Sequence, residues 1–105
     1  MNYAIVDEYI GSKIKEVRES KRYSVIEMAN LVNVSRQAYY HYEDGKISIP
    51  IDRCKFICTY LGIDYIDLMQ NALNYTIDNI NKEIEELERE KKERTKQYAN
   101  IQKKQ

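Results

Sequence analysis

Apolar residues recur at spacings of three and four through the first part of the chain, a periodicity that predicts helices. The first such segment runs from Asp7 to Lys21 and places Ile10, Ile14 and Val17 on one face. Four shorter helices are predicted over residues 25–31, 36–43, 51–60 and 65–71. The first two thirds of the chain, residues 1–72, are therefore expected to form a five-helix domain.

Capping and turn residues divide these segments. Ser24 and Glu27 have the S-x-x-E spacing of a capping box at the start of the second helix. Asn33 stands in a three-residue break where a left-handed backbone is needed, which Asn tolerates well. The remaining helix boundaries are predicted from Ser35, Gly45, Pro50, Gly62 and Asp64. The second and third helices are so short, and joined so tightly, that they must cross steeply, as in a helix-turn-helix.

The last third of the chain, residues 73–105, is predicted to be a helical arm, and we call it the C-terminal arm. From Thr76 onward it contains no Gly or Pro. Its apolar residues follow the alternating three and four steps of a coiled coil, and the predicted dimerisation residues are Leu73, Ile77, Ile80, Ile84, Leu87, Tyr98 and Ile101. Lys91 and Arg94 interrupt the pattern, so the far end is expected to fray unless something pairs with it.

Several pairings of the C-terminal arm are compatible with this pattern. A parallel homodimer is favoured, although Glu83 and Glu88 would then face each other across the two chains and repel. An antiparallel pair, or docking of a different regulatory protein, remains open. So does a single exposed helix held by internal Glu–Lys pairs.

Composition and charge narrow the class of protein. With 43% hydrophobic and 32% charged residues, three glycines and one proline, the chain is expected to be all-α. The formal net charge is zero, which argues against a strongly cationic nucleic-acid binder. Basic residues nevertheless cluster along the first helix and its exit, at Lys13, Lys15, Arg18, Lys21 and Arg22. This cluster is either a local basic face or an ordinary solvated helix surface.

Little in the sequence favours catalysis, a metal or a membrane. Cys54 and Cys58 lie four residues apart among apolar neighbours, so we interpret them as core residues. No His or further Cys completes a metal-ligand set, and neither a phosphate-binding glycine loop nor a nucleophile with a partner is present. No apolar run has the length of a signal or a membrane span. We expect a cytoplasmic protein that is not an enzyme and needs no cofactor.

Residues 24–45, SVIEMANLVNVSRQAYYHYEDG, resemble the helix-turn-helix of the phage repressor and Cro family, the xenobiotic-response-element type of bacterial regulator. The upstream I-x2-V-R, Pro50 and the run C-x2-I-C-x2-L-G-I-D-x3-L extend the resemblance over about residues 10–70. The core positions that the resemblance implies, and with which the periodicity agrees, are Ile14, Val17, Tyr23, Met28, Ala29, Val32, Val34, Tyr39, Tyr42, Cys54, Ile57, Cys58, Leu61, Ile63 and Leu68.

The resemblance also implies a DNA-binding site. In this family the third helix enters the major groove, and the residues at its base-facing positions are Arg36, Gln37, Tyr40 and His41. The implied phosphate contacts are Arg18, Ser24, Ser35 and Lys46. Arg18 and Glu43 match a pair in which the carboxylate directs the guanidinium toward a phosphate, and the alternative is a surface ion pair.

Other positions depart from the family pattern. Val25 and Ile26 replace polar residues at the start of the second helix, and segment 47–49 lacks basic residues. Ile47 and Ile49 either form an exposed interface or fold under the fourth helix, and the sequence favours neither.

The expected function is that of a transcriptional regulator, with a repressor from a phage or other mobile element as the favoured kind. Double-stranded DNA is the expected partner, bound as a homodimer whose two third helices read half-sites about 34 Å apart in a near-palindromic operator. The alternative is a protein-interaction adaptor or antitoxin-like partner that acts mainly through the C-terminal arm.

Overall fold

Five α-helices make up the chain in the computed structural model, which describes residues 4–103. Their bounds are α1 Ala4–Ser20, α2 Val25–Leu31, α3 Arg36–Asp44, α4 Ile51–Leu61 and α5 Tyr65–Lys103. No strand occurs within this part of the chain, so the all-α prediction is confirmed. The bounds of α2 agree with the prediction, whereas α1 begins three residues earlier than expected.

Helices α1 to α4 all end on one residue in the left-handed region of the backbone. These residues are Arg22 (φ 61°), Asn33 (φ 57°), Gly45 (φ 73°) and Gly62 (φ 72°). After each of them an amide bonds back to the carbonyl five residues earlier. The nitrogen of Val34 lies 3.0 Å from the oxygen of Ala29, for example. This is the Schellman motif, which satisfies the last carbonyls of a helix. The left-handed conformation predicted for Asn33 is therefore confirmed.

The helix starts are capped much as predicted. The Oγ of Ser24 accepts a hydrogen bond from the amide of Glu27 at 3.0 Å, which is the serine half of the expected capping box. Ser35 caps α3 in the same way, and Asp64 caps α5. Pro50 is the N-cap of α4 rather than its first helical residue, with an extended ψ of 142°.

Helix α1 packs on α3, α4 and α5, while α2 packs on α3, and the core lies between them. Its buried apolar residues are Ile10, Ile14, Met28, Ala29, Val32, Tyr39, Tyr42, Cys54, Ile57, Cys58, Leu61, Leu68 and Ala72. Val17, Tyr23, Val34 and Ile63, which were also predicted in the core, pack against it while half-buried. The predicted packing is thus confirmed, and Ala72 extends it by one turn of α5.

Helix α1 lies closest to α3 at Gly11. A Cβ atom built on this buried glycine would collide with the backbone oxygen of Tyr42 and lie 2.5 Å from that of Glu43. Only a residue without a side chain leaves room for this approach, because backbone atoms cannot rotate away as a flexible side chain can. Gly11 therefore fixes the C-terminal half of α3 against α1.

Helix α5 belongs to both the domain and the C-terminal arm. The prediction that the fifth helix ends at Asn71 was wrong, because α5 continues without a break to Lys103. Its inner face packs on the domain through Leu68 and Ala72, and the ring of Tyr75 lies 5.1 Å from that of Tyr9. From Asn81 to Gln102 every side chain is exposed. The arm is thus an unbroken continuation of a domain helix, and the described molecule is 70 Å long by 26 and 23 Å.

None of the helices between residues 4 and 103 combines the length and the apolar character needed to cross a membrane.

Candidate nucleic-acid interface

Helix α3 has one buried and one exposed face. Tyr39, Tyr42 and Glu43 point into the domain, and the phenol ring of Tyr39 is fully buried. Arg36 and Gln37 are exposed, and the Tyr40 side chain is 51% exposed. Residues four apart lie one above the other on a helix, so Arg36 and Tyr40 share one row and Gln37 lies next to them. Three of the four predicted base-contacting residues thus lie together on the outward face.

His41 differs from the other three. It is only partly exposed, and its Nδ1 atom is buried with no hydrogen-bond partner among the described residues. One edge of the imidazole therefore faces the domain, which leaves only the other edge available to a ligand. Its position makes base contact by His41 less favourable than contact by Arg36, Gln37 or Tyr40.

The inner face of α3 is fixed by side chains from other helices. The Nη1 atom of Arg53 in α4 donates to the hydroxyl of Tyr42 at 3.1 Å. The Tyr39 ring meets that of Tyr42 edge to face, with centroids 6.4 Å apart. Burial, with the nearby Glu43 carboxylate, raises the pKa of Tyr39, so its phenol stays neutral. These contacts set the direction of the exposed face, and the sequence did not indicate the role of Arg53 because it depends on a contact between helices.

Arg18 and Glu43 form a buried pair that joins α1 to α3. The Nε of Arg18 lies 2.7 Å from Oε2 of Glu43, and its Nη2 lies 3.0 Å from Oε1. The Arg18 Nη1 atom donates to the backbone oxygen of Tyr23 at 2.9 Å. The two side chains are only 10% and 2% exposed. The hydrogen bonds to Glu43 raise the pKa of Arg18, so the guanidinium stays charged.

The burial of Arg18 limits the contact that its guanidinium can make with DNA. The alternative of a surface ion pair was wrong, because both side chains are buried. One edge of the guanidinium is occupied by Glu43, and the remaining nitrogen is bonded to the α1–α2 turn. The donors that a phosphate would need are therefore largely used inside the protein. The position of Arg18 favours a role in holding α3 in place over the predicted phosphate contact.

The other three predicted phosphate contacts lie on the surface. Ser24 and Ser35 are exposed at the starts of α2 and α3, and Lys46 is exposed just after α3. Each serine oxygen accepts a bond from an amide, which leaves its hydroxyl hydrogen to donate outward. The amides in the first turn of α3 also have no carbonyl partner within the helix, as at every helix start. The ends of α3 thus present donors suited to anionic oxygens.

The two isoleucines of the segment between α3 and α4 lie in different environments. Ile49 packs against the core, whereas Ile47 is exposed. Each interpretation therefore holds for one of the two isoleucines. The Oγ of Ser48 lies 2.7 Å from Oδ2 of Asp7, which ties the segment to α1.

The two cysteines are buried free thiols, as the core interpretation expected. A hydrogen bond with Cys54, together with burial, raises the pKa of the Cys58 thiol. Within residues 4–103, no group of three or more His, Cys, Asp or Glu side chains is arranged to hold a metal ion.

Comparison with known proteins identifies this arrangement. A family model described as helix-turn-helix matches residues 14–68, which is more than half of the chain and includes α2, α3 and α4. The chain belongs to this helix-turn-helix family. The resemblance to Cro-type regulators is therefore confirmed, and the family and fold point to a DNA-binding protein rather than an enzyme.

Two relatives of this helix-turn-helix protein show how far the similarity extends. Antitoxin PezA of Streptococcus pneumoniae is 30% identical over 60 residues, covering 57% of this chain and 38% of that protein. A Thermococcus kodakarensis protein, provisionally named an HTH-type transcriptional regulatory protein, is 31% identical over 75 residues, covering 71% of this chain and 21% of that protein. The chain thus spans about two fifths of the first relative and one fifth of the second.

Solved structures support the fold. Two crystal structures of the clp gene regulator ClgR from Corynebacterium glutamicum superpose with TM-scores of 0.57 and 0.61. They are 22% and 18% identical and cover 66% and 78% of this chain, and 90% and 88% of their own. At this level of identity the likeness extends to the fold only.

Proposed function

We propose that this helix-turn-helix protein is a DNA-binding transcriptional regulator that inserts α3 into the major groove. The observation that carries the proposal is the division of α3 into two faces. Its inner face is fixed by buried Tyr39, Tyr42 and Glu43, while Arg36 and Gln37 project from its first turn. A rigid helix with polar residues at its exposed N-terminal end is what reading of base edges requires.

The side chains on the exposed face suit particular bases. Arg36 can donate two hydrogen bonds to O6 and N7 of guanine, and Gln37 can make a similar pair with N6 and N7 of adenine. Tyr40 adds an exposed ring and hydroxyl in the row above Arg36. We assign sequence preference mainly to Arg36 and Gln37, with Tyr40 and the open edge of His41 as secondary contacts.

Phosphate contacts would hold α3 in register on the duplex. Ser24, Ser35 and Lys46 are the proposed donors, because all three are exposed at the ends of α2 and α3. Arg18 is proposed to act indirectly, by fixing α3 through Glu43. Lys46 is the one cation among the three proposed donors, so affinity should fall only moderately with salt.

The C-terminal arm is proposed to make the protein a homodimer. Ile77, Ile84 and Leu87 are exposed in one continuous row, and contiguous exposed apolar residues of this kind mark a surface that another chain covers. Two copies of α3 related by a two-fold axis would read a near-palindromic operator, and repression is the proposed outcome. The proposed location is the cytoplasm.

Selection of bound sequences from random double-stranded DNA would test the proposal. We expect a near-palindromic consensus whose half-site preference changes in the Arg36→Ala variant, at a cost of about 1–3 kcal/mol per contacted base pair. Lys96→Ala is the matched control, because it also removes one positive charge, from an exposed position in the arm off its apolar stripe. No enrichment of any sequence at low salt would contradict DNA binding.

A second candidate function is that of an antitoxin-like partner, in which the C-terminal arm binds another protein. The specific observation in its favour is the 30% identity to antitoxin PezA over 60 residues. The apolar residues Val25 and Ile26 at the start of α2 also weaken the case for DNA contact there. Purification from cells in complex with one specific protein, together with no DNA binding at any salt concentration, would favour this candidate.

A further inference from the structure

The exposed stripe of the C-terminal arm continues beyond its charged interruption. We define the outer stripe of α5 as Leu73, Ile77, Ile80, Ile84, Leu87, Lys91, Arg94, Tyr98 and Ile101. The helix passes through Lys91 and Arg94 without a break, instead of ending there. Beyond them Tyr98 and Ile101 are again exposed apolar residues. A binding partner of this stripe must therefore accommodate two cations between two apolar regions.

Charge is separated along the same helix. Residues 78–90 carry six carboxylates and two cations, whereas residues 91–103 carry five cations and one carboxylate. Among the described residues, the salt bridges within 4 Å all lie in or near α1, and none joins charges of the arm. The alternative of a single helix held by internal Glu–Lys pairs thus gains no support. The acidic and the basic segment both remain available to another chain.

We propose that the C-terminal arms of two copies pair in antiparallel orientation, about a two-fold axis near Arg89. This inference rests on the proposed homodimer and specifies its geometry. In an antiparallel coiled coil an a position of one helix faces a d position of the other. With the axis at residue 89, the facing pairs are Ile77 with Ile101, Ile80 with Tyr98, Ile84 with Arg94 and Leu87 with Lys91 of the second copy. Every outer-stripe residue from 77 to 101 then has a partner.

The charges beside the outer stripe differ in their neighbours between the two orientations. In the antiparallel pair, Lys91 lies beside Glu88 of the second copy and Arg94 lies beside its Glu83, so both cations meet the acidic segment. At the axis, Glu88 and Glu90 each lie near the same residue of the second copy. The positive charges of the two Lys91 residues offset this repulsion. In the parallel pair, Lys91 and Arg94 each face their own counterpart, and Glu83 faces Glu88. The antiparallel orientation thus faces Lys91 and Arg94 with apolar residues flanked by carboxylates, whereas the parallel orientation faces each cation with its own counterpart.

The antiparallel arms set the distance between the two DNA-binding domains. Helix α5 begins at Tyr65, which is 24 residues from the axis. At ~1.5 Å per residue, the two starts of α5 lie about 72 Å apart. Half-sites separated by roughly two turns of DNA, rather than one, fit this spacing. The antiparallel arm therefore predicts a longer operator than the 34 Å spacing expected from the sequence.

Two single-cysteine variants test the orientation in the full-length protein. In the antiparallel pair, two copies of Glu88→Cys meet near the axis and form a disulfide under mild oxidation. Two copies of Ile84→Cys are then ten residues out of register, or about 15 Å apart, and do not. In a parallel pair the result is reversed, because residue 84 faces its own counterpart while residue 88 lies on opposite flanks. The unmodified chain, with Cys54 and Cys58 buried, gives the background.

The mass of the protein in solution is measured together with disulfide formation in the two variants. A dimer linked by Glu88→Cys but not by Ile84→Cys supports the proposal. A dimer with the opposite pattern, or with neither link, overturns the antiparallel register and leaves the proposed dimer intact. A monomer overturns the dimer itself, while selection of DNA sequences tests α3 independently.

A charge variant gives a second measurement that does not depend on cysteine chemistry. Lys91→Glu with Arg94→Glu places carboxylates beside Glu88 and Glu83 of the second copy, so the dissociation constant of the antiparallel dimer should rise at least about tenfold. In a parallel dimer the facing like-charged pairs would be exchanged for other like-charged pairs, so the dissociation constant should change less. Lys92→Glu with Lys96→Glu is the matched control, since these exposed residues lie off the outer stripe. Equal dimer affinity of the two variants would overturn the proposal.

Discussion

The helix-turn-helix domain and the C-terminal arm use similar residues for different purposes. In the domain, Ile14 and Ile57 are fully buried, and each of the first four helices ends in a bonded turn. In the arm, Ile84 and Leu87 remain largely exposed on a helix that is charged on its other faces. The domain therefore obtains its stability from contacts within one chain, whereas the apolar face of the arm becomes buried only when another chain covers it. Mutations in the domain should therefore lower the stability of the folded chain, whereas mutations in the arm should weaken its association with another chain.

The largest effect is expected when the buried ion pair of the domain is broken. Glu43→Ala leaves the Arg18 guanidinium buried without its carboxylate, which should cost about 3–5 kcal/mol of unfolding free energy. Denaturant unfolding followed by circular dichroism would measure it. Replacing both partners with apolar residues, as in Arg18→Met with Glu43→Leu, should recover most of the loss because no unpaired charge remains.

An exposed ion pair provides the control for that measurement. Lys13 and Glu16 lie 3.5 Å apart with side chains 45% and 71% exposed, so Glu16→Ala should cost less than about 1 kcal/mol. If Glu43→Ala and Glu16→Ala proved equally mild, the buried pair would not hold α3 to α1.

The same substitution in the two regions compares them directly. Ile57→Ala removes a fully buried side chain and should lower the unfolding free energy by about 2–5 kcal/mol. Ile84→Ala, at a side chain 47% exposed in one chain, should leave the unfolding midpoint of the dilute monomer nearly unchanged and weaken dimerisation instead. Thermal unfolding and sedimentation would measure the two effects. Destabilisation of the monomer by Ile84→Ala would mean that the arm packs on its own domain.

A substitution at Gly11 tests how closely α1 approaches α3. Gly to Ala at an open helical position stabilises by about 0.5–1 kcal/mol, because Gly loses more backbone entropy on folding. At Gly11 the added Cβ meets the backbone of Tyr42 and Glu43, so we expect a net loss of about 1–3 kcal/mol. Ser12→Ala, at the neighbouring exposed position, should change little. A gain in stability in the Gly11→Ala variant would show that α1 and α3 can accommodate a Cβ atom between them.

Local chemistry accounts for what the sequence predicted well. Ser24, Ser35 and Asp64 cap helices through bonds to amides three residues away, and Asn33 adopts the left-handed backbone that its short polar side chain permits. These interactions involve neighbours in the chain, so spacing alone reveals them. Helix boundaries and most of the core follow from the same signals. Residues 72–75 contain no Gly or Pro, so the sequence is also compatible with a continuous α5, although the predicted helix ended at Asn71.

Features that depend on the approach of distant segments could not be predicted in this way. The role of Gly11 arises from the position of α3, and the burial of Arg18 arises from Glu43, 25 residues away. Arg22 adopts a left-handed backbone although nothing in a long cationic side chain favours it. At the candidate interface, Arg36, Gln37 and Tyr40 lie on the exposed face, while their contacts with bases stay predictions. His41 shows why periodicity is insufficient, because one of its ring nitrogens is buried.

The smallest effect is expected at the hydroxyl group of Tyr39. Its oxygen is buried without a hydrogen-bond partner among the described residues, so Tyr39→Phe should keep or slightly raise stability at pH 7, by at most about 1 kcal/mol. Burial raises the folded-state pKa of Tyr39 above the ordinary value of 10.0. Its contribution to stability is therefore complete below pH 10 and decreases as the pH rises above it, because only the unfolded phenol then loses its proton.

Alkaline unfolding separates this effect from the other tyrosines. Between pH 10 and 11, Tyr39 should make the natural chain lose up to about 1.4 kcal/mol more than the Tyr39→Phe variant. Tyr40→Phe is the matched control, because it removes a hydroxyl group from an exposed tyrosine. Denaturant midpoints of the three proteins at pH 7, 10 and 11 would provide the comparison. A clear loss of stability in Tyr39→Phe at pH 7 would mean that the hydroxyl donates a bond, with Glu43 as the acceptor, and the buried pair would then be a network of three side chains.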